Sequence, residues 1–242
     1  MGQLRLFNRF GRVVQGASCL YDPNMNIAAL FAPDHELAAH LLRLLDGQAT
    51  DSAHDRAHLL RVWQNVRKIS KIEGGDLTVL TAATLMHDLI HVPKDSPDRA
   101  NASQRAADAA GAVLAALSWP EQQVSAVKHA IAAHSFSAGI PPRTLEARIL
   151  QDADRLDALG HIGIARCLAV SGALNRPLYD PLDPQAQSRK LDDSAYAIDH
   201  FQTKLLRLAG KFQTQTGRAL ADKRHAVLKQ FYDGFISEVS LR

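Results

Sequence analysis

At 242 residues, with 46% hydrophobic and 22% charged residues, the chain is long enough to bury a full core and has the balance of a globular protein. A net charge of +3 does not mark a binder of duplex nucleic acid, and no run approaches the ~20 apolar residues of a membrane helix. Cys19 and Cys167 share no C-x-x-C spacing and give no disulfide framework, which predicts a reducing, cytoplasmic setting. Aromatics are only 6%, while Ala and Leu are abundant, so an all-α fold is expected.

Residues 1–33 read as an N-terminal tail, basic through Arg5, Arg9 and Arg12, with Met25 as an alternative start. Asp34 then caps a helix through Leu37, Leu41, Leu42 and Leu45 that Gly47 stops. Asp51-Ser52 opens the next, which runs to about Glu73 and ends at Gly74-Gly75. It turns Val62, Val66 and Ile69 inward and Arg67, Lys68 and Lys71 outward. His54, His58 and Arg61 fall at i, i+4 and i+7, on one face.

Asp76 caps a helix expected to reach His91, before Pro93. Its first ten residues, Leu77 to Met86, are uncharged, so the helix should be buried and should deliver His87 and Asp88 from a core. Neighbouring helical residues point about 100° apart, yet both can converge on one cation at a helix crossing. A cation would also relieve the cost of a buried carboxylate, which makes the pair a metal-site candidate. In the polar loop that follows, Lys94 is a candidate for binding a phosphate and Asp95 for acting as a base, with a solvated turn as the alternative.

Arg99 to Leu117 is Ala-rich and helical, and Trp119-Pro120 begins a helix carrying His129 and His134. Those two histidines stand about 140° apart and share a site only if the helix ends between them, as Ser135 to Gly139 suggests. Pro141-Pro142 starts a helix to Leu159 that holds Asp152, Asp154 and Asp157 among apolar residues. Gly160 to Val170 reads as a closely packed helix of small residues. Leu174 to Asp193 is irregular and proline-rich; its Arg176, Tyr179, Arg189 and Lys190 suit a lid over a ligand, and a linker is the alternative. Ser194 to Leu208 reads as a helix aligning Tyr196, His200 and Lys204, and Gly217 to Val239 as a closing amphipathic helix.

His58 in His-x-x-Arg-Val, the His87-Asp88 pair and Asp154 in Asp-Ala-Asp-Arg-Leu-Asp resemble the H…HD…D signature of the HD-domain metal-dependent phosphohydrolases. The resemblance runs from about Ala53 to the C-terminus. Within it, His134-Ser-Phe-Ser137, Gln151 to Gly160 and Asp199 to Leu206 are similar to a subgroup of small bacterial HD hydrolases, at least one of them a nucleoside-triphosphate pyrophosphohydrolase. The implied architecture is an all-α HD-domain helical bundle over 34–170, with a lid-like loop and C-terminal helices over 171–242 packed on it.

The resemblance also implies a divalent metal ion (Mn, Co, Fe, Ni, Zn or Mg) held by His58, His87, Asp88 and Asp154. For a metal-bound hydroxide as nucleophile, His54, Asp55 and Asp95 are the candidates for proton transfer, and Arg61 and Lys94 for phosphate orientation. His129, His134, Tyr196, His200 and Lys204 are the further substrate-contact candidates. Asp152, about 200° from Asp154, is expected to cap or to pair with an arginine, and Asp157 to hydrogen-bond a ligand histidine. The substrate class is a small-molecule nucleotide or phosphoester, with no duplex nucleic acid and no membrane as partner; a homodimer is left open. Diphosphate release from a nucleoside triphosphate, a nucleotidase or phosphodiesterase reaction, and a non-catalytic ligand-binding module all remain as readings. The intact ligand set favours catalysis over the last.

Overall fold

The protein was analysed as a computed structural model that describes residues 27–45, 56–90, 98, 101–135 and 138–240. The basic stretch before residue 27, together with His54, Asp55, Lys94 and Asp95, lies outside the described residues. The described residues contain nine α-helices and no strand: α1 His35–Leu45, α2 Arg56–Glu73, α3 Leu77–Met86, α4 Ala102–Ala116, α5 Glu121–His134, α6 Leu145–Leu156, α7 Gly160–Ala173, α8 Asp199–Thr203 and α9 Gln215–Val239.

The centre is α3. Every residue from Val79 to Met86 is buried, because α1, α2, α5 and α6 surround it. Fully burying side chains such as Leu80 and Met86 stabilises the fold by roughly 2 kcal/mol each. Asp76 starts α3 as expected, its carboxylate accepting from the amides of Thr78 and Val79. Asp34, expected to cap α1 with its side chain, instead accepts from the Thr78 and Thr81 hydroxyls and so pins α1 to α3. Part of the expected N-terminal tail is structured: Ile27–Phe31 is a 3-10 turn, and Phe31 stacks on Trp63 with centroids 4.8 Å apart.

The helix α6 connects three neighbours. Gln151 donates to Ala133 O on α5, while Asn65 of α2 donates to Ala153 O. Asp152, on another side, is fully buried and accepts from the amides of Gln213 and Thr214 and from the Thr214 hydroxyl. Thr214 in turn caps α9 by accepting from Gly217 N. Asp152, expected to cap a helix or to pair with an arginine, instead holds the N-cap residue of α9 and the residue before it.

Two expectations are corrected. The helix of His87 stops at Met86, with His87 as its C-cap and Leu89 N reaching only to Met86 O, so the His-Asp pair sits in the turn after the helix. Continuous helix from Ser194 to Leu208 is also absent. Asp192 accepts from the amides of Ser194 and Ala195, an aspartate turn that competes with helix initiation. Only the short α8 and 3-10 turns at Leu205–Arg207 and Ala209–Lys211 follow.

Candidate metal centre

Three imidazoles and two carboxylates meet where α2, α5, α6 and the end of α3 converge. His58 Nε2 lies 3.7 Å from Asp88 Oδ2 and 3.5 Å from Asp154 Oδ1. His87 Nε2 is 3.4 Å from Asp88 Oδ2, and His134 Nε2 is 3.7 Å from Asp88 Oδ1. The ring centroids of His87 lie 5.5 Å from those of His58 and 5.1 Å from those of His134. His58, His87 and Asp88 alone offer ligand atoms that all lie within 4.8 Å of one another.

The local backbone explains the convergence. Because α3 ends before His87, the turn lets two adjacent residues aim at one point, which a continuing helix would set about 100° apart. His134 is the last residue of α5 and arrives from the opposite side. On α2 and α6, residues three apart lie one above the other, so His58 and Arg61 face Asp154 and Asp157 across the helix crossing.

Each imidazole is fixed through its other nitrogen. His87 Nδ1 donates to Thr84 O at 2.7 Å, and His134 Nδ1 donates to Ile131 O at 2.6 Å. His58 Nδ1 donates to Asp157 Oδ2 at 2.7 Å, the hydrogen bond expected of Asp157. A carbonyl or carboxylate only accepts, so these bonds place the proton on Nδ1 and turn each Nε2 lone pair toward the cluster. The Nε2 of His87 is buried and makes no hydrogen bond among the described residues. An orphaned buried nitrogen beside two carboxylates is what a divalent cation satisfies, and this imidazole and carboxylate donor set fits one.

The charges are interdependent. Burial raises the pKa of Asp88, but the adjacent His87 and the neighbouring His134 and His58 imidazoles outweigh it and hold the carboxyl well below its usual range. Burial lowers His58, yet Asp157, Asp88 and Asp154 together push it up to about 9. His87 is dominated by burial and is lowered. Asp88 keeps 34% of its side chain accessible, so the cluster opens to solvent along this carboxylate.

Around the cluster, Asp157 is a hub. Arg61 Nε donates to its Oδ1 at 2.6 Å and Arg61 Nη2 to its Oδ2 at 3.1 Å, and Arg166 adds a bond to Oδ2 at 2.6 Å. Burial opposes ionisation of Asp157, but His58 and Arg61 hold it far below the usual carboxylate range. Arg61 therefore acts on Asp157 rather than standing ready for a phosphate. Arg166 went unnoticed in the sequence, because it lies inside a stretch that reads as small-residue packing. That packing is real: a Cβ on Gly163 would run into the Ala158 carbonyl.

The remaining substrate-contact candidates are elsewhere. The helix α5 does not break between His129 and His134, so the two diverge; His129 Nε2 accepts from Arg143 N and anchors the loop before α6. His134 alone joins the cluster. Tyr196 donates to Asp180 and lies under the Arg189 guanidinium, and His200 pairs with Asp193. Arg189 grips Asp199 with two bonds and Arg176 donates to Ser194 O, so these side chains hold the irregular loop itself. Lys204 is exposed at the C-cap of α8 and shares no helical face with Tyr196 and His200.

Comparison with known proteins agrees with this geometry. The family model for the HD domain matches residues 56–159, which contain all five residues of the cluster. The chain is 35% identical over 184 residues to the uncharacterized protein YpgQ of Bacillus subtilis, covering 74% of this chain and 82% of the relative. Among solved structures, YpgQ in complex with ADP aligns with a TM-score of 0.61 and 29% identity, over 84% of this chain and 97% of that one. An HD-superfamily hydrolase from Bacillus thuringiensis aligns with a TM-score of 0.62 and 30% identity, over 88% and 95%. No helix among the described residues is long and apolar enough to cross a membrane. With this cluster and these relatives, the chain belongs to the HD-domain family of metal-dependent phosphohydrolases.

Proposed function

We propose that the protein hydrolyses a nucleotide at a phosphoanhydride or phosphoester bond, with the divalent cation held by His58, His87, Asp88 and Asp154 and with His134 as a fifth donor. The observation that carries the reading is the convergence of three Nε2 atoms on two carboxylates beside a solvent-open edge. When bound, the cation supplies Lewis acidity toward a phosphoryl oxygen and lowers the pKa of water toward about 7. Asp157 holds the His58 ring in one tautomer, and Arg61 and Arg166 keep Asp157 ionised so that it can do so. His54 and Asp55 directly precede α2, and Lys94 and Asp95 lie a few residues after the His-Asp pair. Proton transfer and phosphate contact are assigned to them by position in the chain.

The ADP complex of YpgQ favours a nucleotide among phosphoesters. Release of diphosphate from a nucleoside triphosphate is the first reaction to test, and a nucleotidase or phosphodiesterase reaction at the same centre is the alternative. The experiment follows orthophosphate and diphosphate separately from a panel of nucleoside mono-, di- and triphosphates, using chelator-stripped protein with and without added Mn²⁺. Diphosphate from triphosphates, only with metal, supports the first reading. Orthophosphate from monophosphates supports the second. A metal-loaded protein that leaves the whole panel intact overturns the nucleotide assignment.

A further inference from the structure

Behind His58 lies a cleft of about 430 Å³ between α2, the start of α7 and α9. Arg61 and Asp157 form its inner wall, and the cationic side chains of Lys68, Lys223 and Arg224 line it with them. None of His58, His87, Asp88, His134 and Asp154 is among its lining residues. The cleft and the metal centre therefore lie on opposite sides of the His58 to Asp157 hydrogen bond: Nε2 of the ring faces one, and the carboxylate that holds Nδ1 faces the other.

The charge in this cleft is unbalanced. Asp157 is the one carboxylate in the wall, and Arg61, Arg166 and His58 already surround it. Lys68 and Lys223 are exposed and have no hydrogen-bond or ion-pair partner among the described residues. The half-buried Arg224 guanidinium donates only to neutral acceptors, Leu156 O and Asn65 Oδ1. The first turn of α7 adds to the positive field, since its N-cap residue Leu159 offers no side-chain acceptor for the opening amides. Three cations lining a cleft, none hydrogen-bonded to a carboxylate among the described residues, fit a compact polyanion rather than a neutral or cationic ligand.

We propose that this cleft is a second binding site, separate from the metal centre, for the phosphate chain of a small molecule, with Lys68, Lys223 and Arg224 as its ligands. Its volume exceeds what one simple anion fills and lies within the ~300–1,000 Å³ of small-molecule sites. The apolar edge made by Ile162 and Val227 leaves room for the organic part of a nucleotide. Arg61 lines the cleft and hydrogen-bonds Asp157, so an anion that draws on its guanidinium acts through Asp157 on the orientation of His58. Only this coupling rests on the metal-centre reading; the binding site does not.

The test uses calorimetry with inorganic diphosphate and with ADP on the full chain stripped of metal, so that no cation can recruit phosphate to the histidine cluster. Saturable binding is expected in the unaltered protein and equally in His87→Ala. In Lys68→Glu/Lys223→Glu, which alters two exposed side chains and should leave folding intact, affinity is expected to fall at least about tenfold, the scale of losing charge-assisted phosphate contacts. Tighter binding of ADP than of diphosphate assigns a nucleotide, and equal binding assigns the phosphate chain alone; both support the site. Absence of saturable binding, or binding lost in His87→Ala and untouched in the lysine variant, overturns it. Failure of the nucleotide-hydrolysis assay leaves this outcome unaffected.

Discussion

Asp157 accepts from His58 Nδ1 at 2.7 Å while two arginines share the same carboxylate, so one buried acid orients a candidate ligand and anchors two cations. Asp157→Asn keeps the shape but can no longer accept from all three on a charged oxygen. Metal affinity, measured by competition with a chromophoric chelator, is expected to fall about 10–100-fold. Stability is expected to fall by about 1.5–3 kcal/mol, the scale of hydrogen bonds to a charged group. Unchanged metal affinity in a folded variant would show that His58 needs no such partner.

His134 distinguishes a ligand from a substrate contact. If it is a fifth donor, His134→Ala lowers metal content or affinity in the absence of any substrate, as read by elemental analysis after dialysis at limiting Mn²⁺. A raised KM with full metal content and affinity would return His134 to the substrate role expected from sequence alone.

Gly217 sits against the buried Asp152, and a Cβ there would lie inside van der Waals contact of Asp152 Oδ2 and Thr214 Oγ1. Gly217→Ala is therefore expected to destabilise by about 1–3 kcal/mol, although alanine is the better helix former. For a chain of this size that lowers Tm by roughly 2–4 °C per kcal/mol in a calorimetric scan. An unchanged or higher Tm would mean that α9 shifts freely.

The loop before α8 has its own acid sensitivity. Asp183 accepts from the amides of Ser188, Gln187 and Arg189, and these bonds lower its pKa to about 2. A carboxyl with a folded-state pKa below its unfolded value contributes stability that is fully present above about pH 4 and is lost as pH falls toward 2. Between pH 5 and 2.5, urea midpoints of the unaltered protein should fall more steeply than those of Asp183→Asn. Parallel slopes would remove Asp183 from the account.

Most of this fold is legible where periodicity alone decides. The uncharged run from Leu77 to Met86 announces a buried helix, and His58, Arg61, Asp154 and Asp157 meet because three-residue spacing sets each pair on one helix face. Periodicity carries no sign of where a hydrogen-bond ladder breaks, and so the position of His87 and Asp88 beyond the end of α3 was not predicted. The same limit applies to Tyr196, His200 and Lys204, aligned by counting in fours although the aspartate turn at Asp192 holds the backbone just before Tyr196 and the next α-helix is the short α8, which ends before Lys204. Joining His134 to the cluster depends on how α5 packs against α3 and α6, and joining Arg166 to Asp157 on how the turn at Gly160 folds α7 back on the end of α6. Neither contact leaves a local trace.

A protein engineer seeking the smallest working version of this enzyme would be tempted to cut before Gln213. That cut would strip Asp152 of its two amide donors and one hydroxyl donor and remove the α9 segment that covers it, undoing the packing of the helix that carries Asp154 two residues on. The catalytic half of the chain therefore carries the requirement for its own C-terminus inside the acidic motif, and a shortened version would need Asp152 rewritten as well.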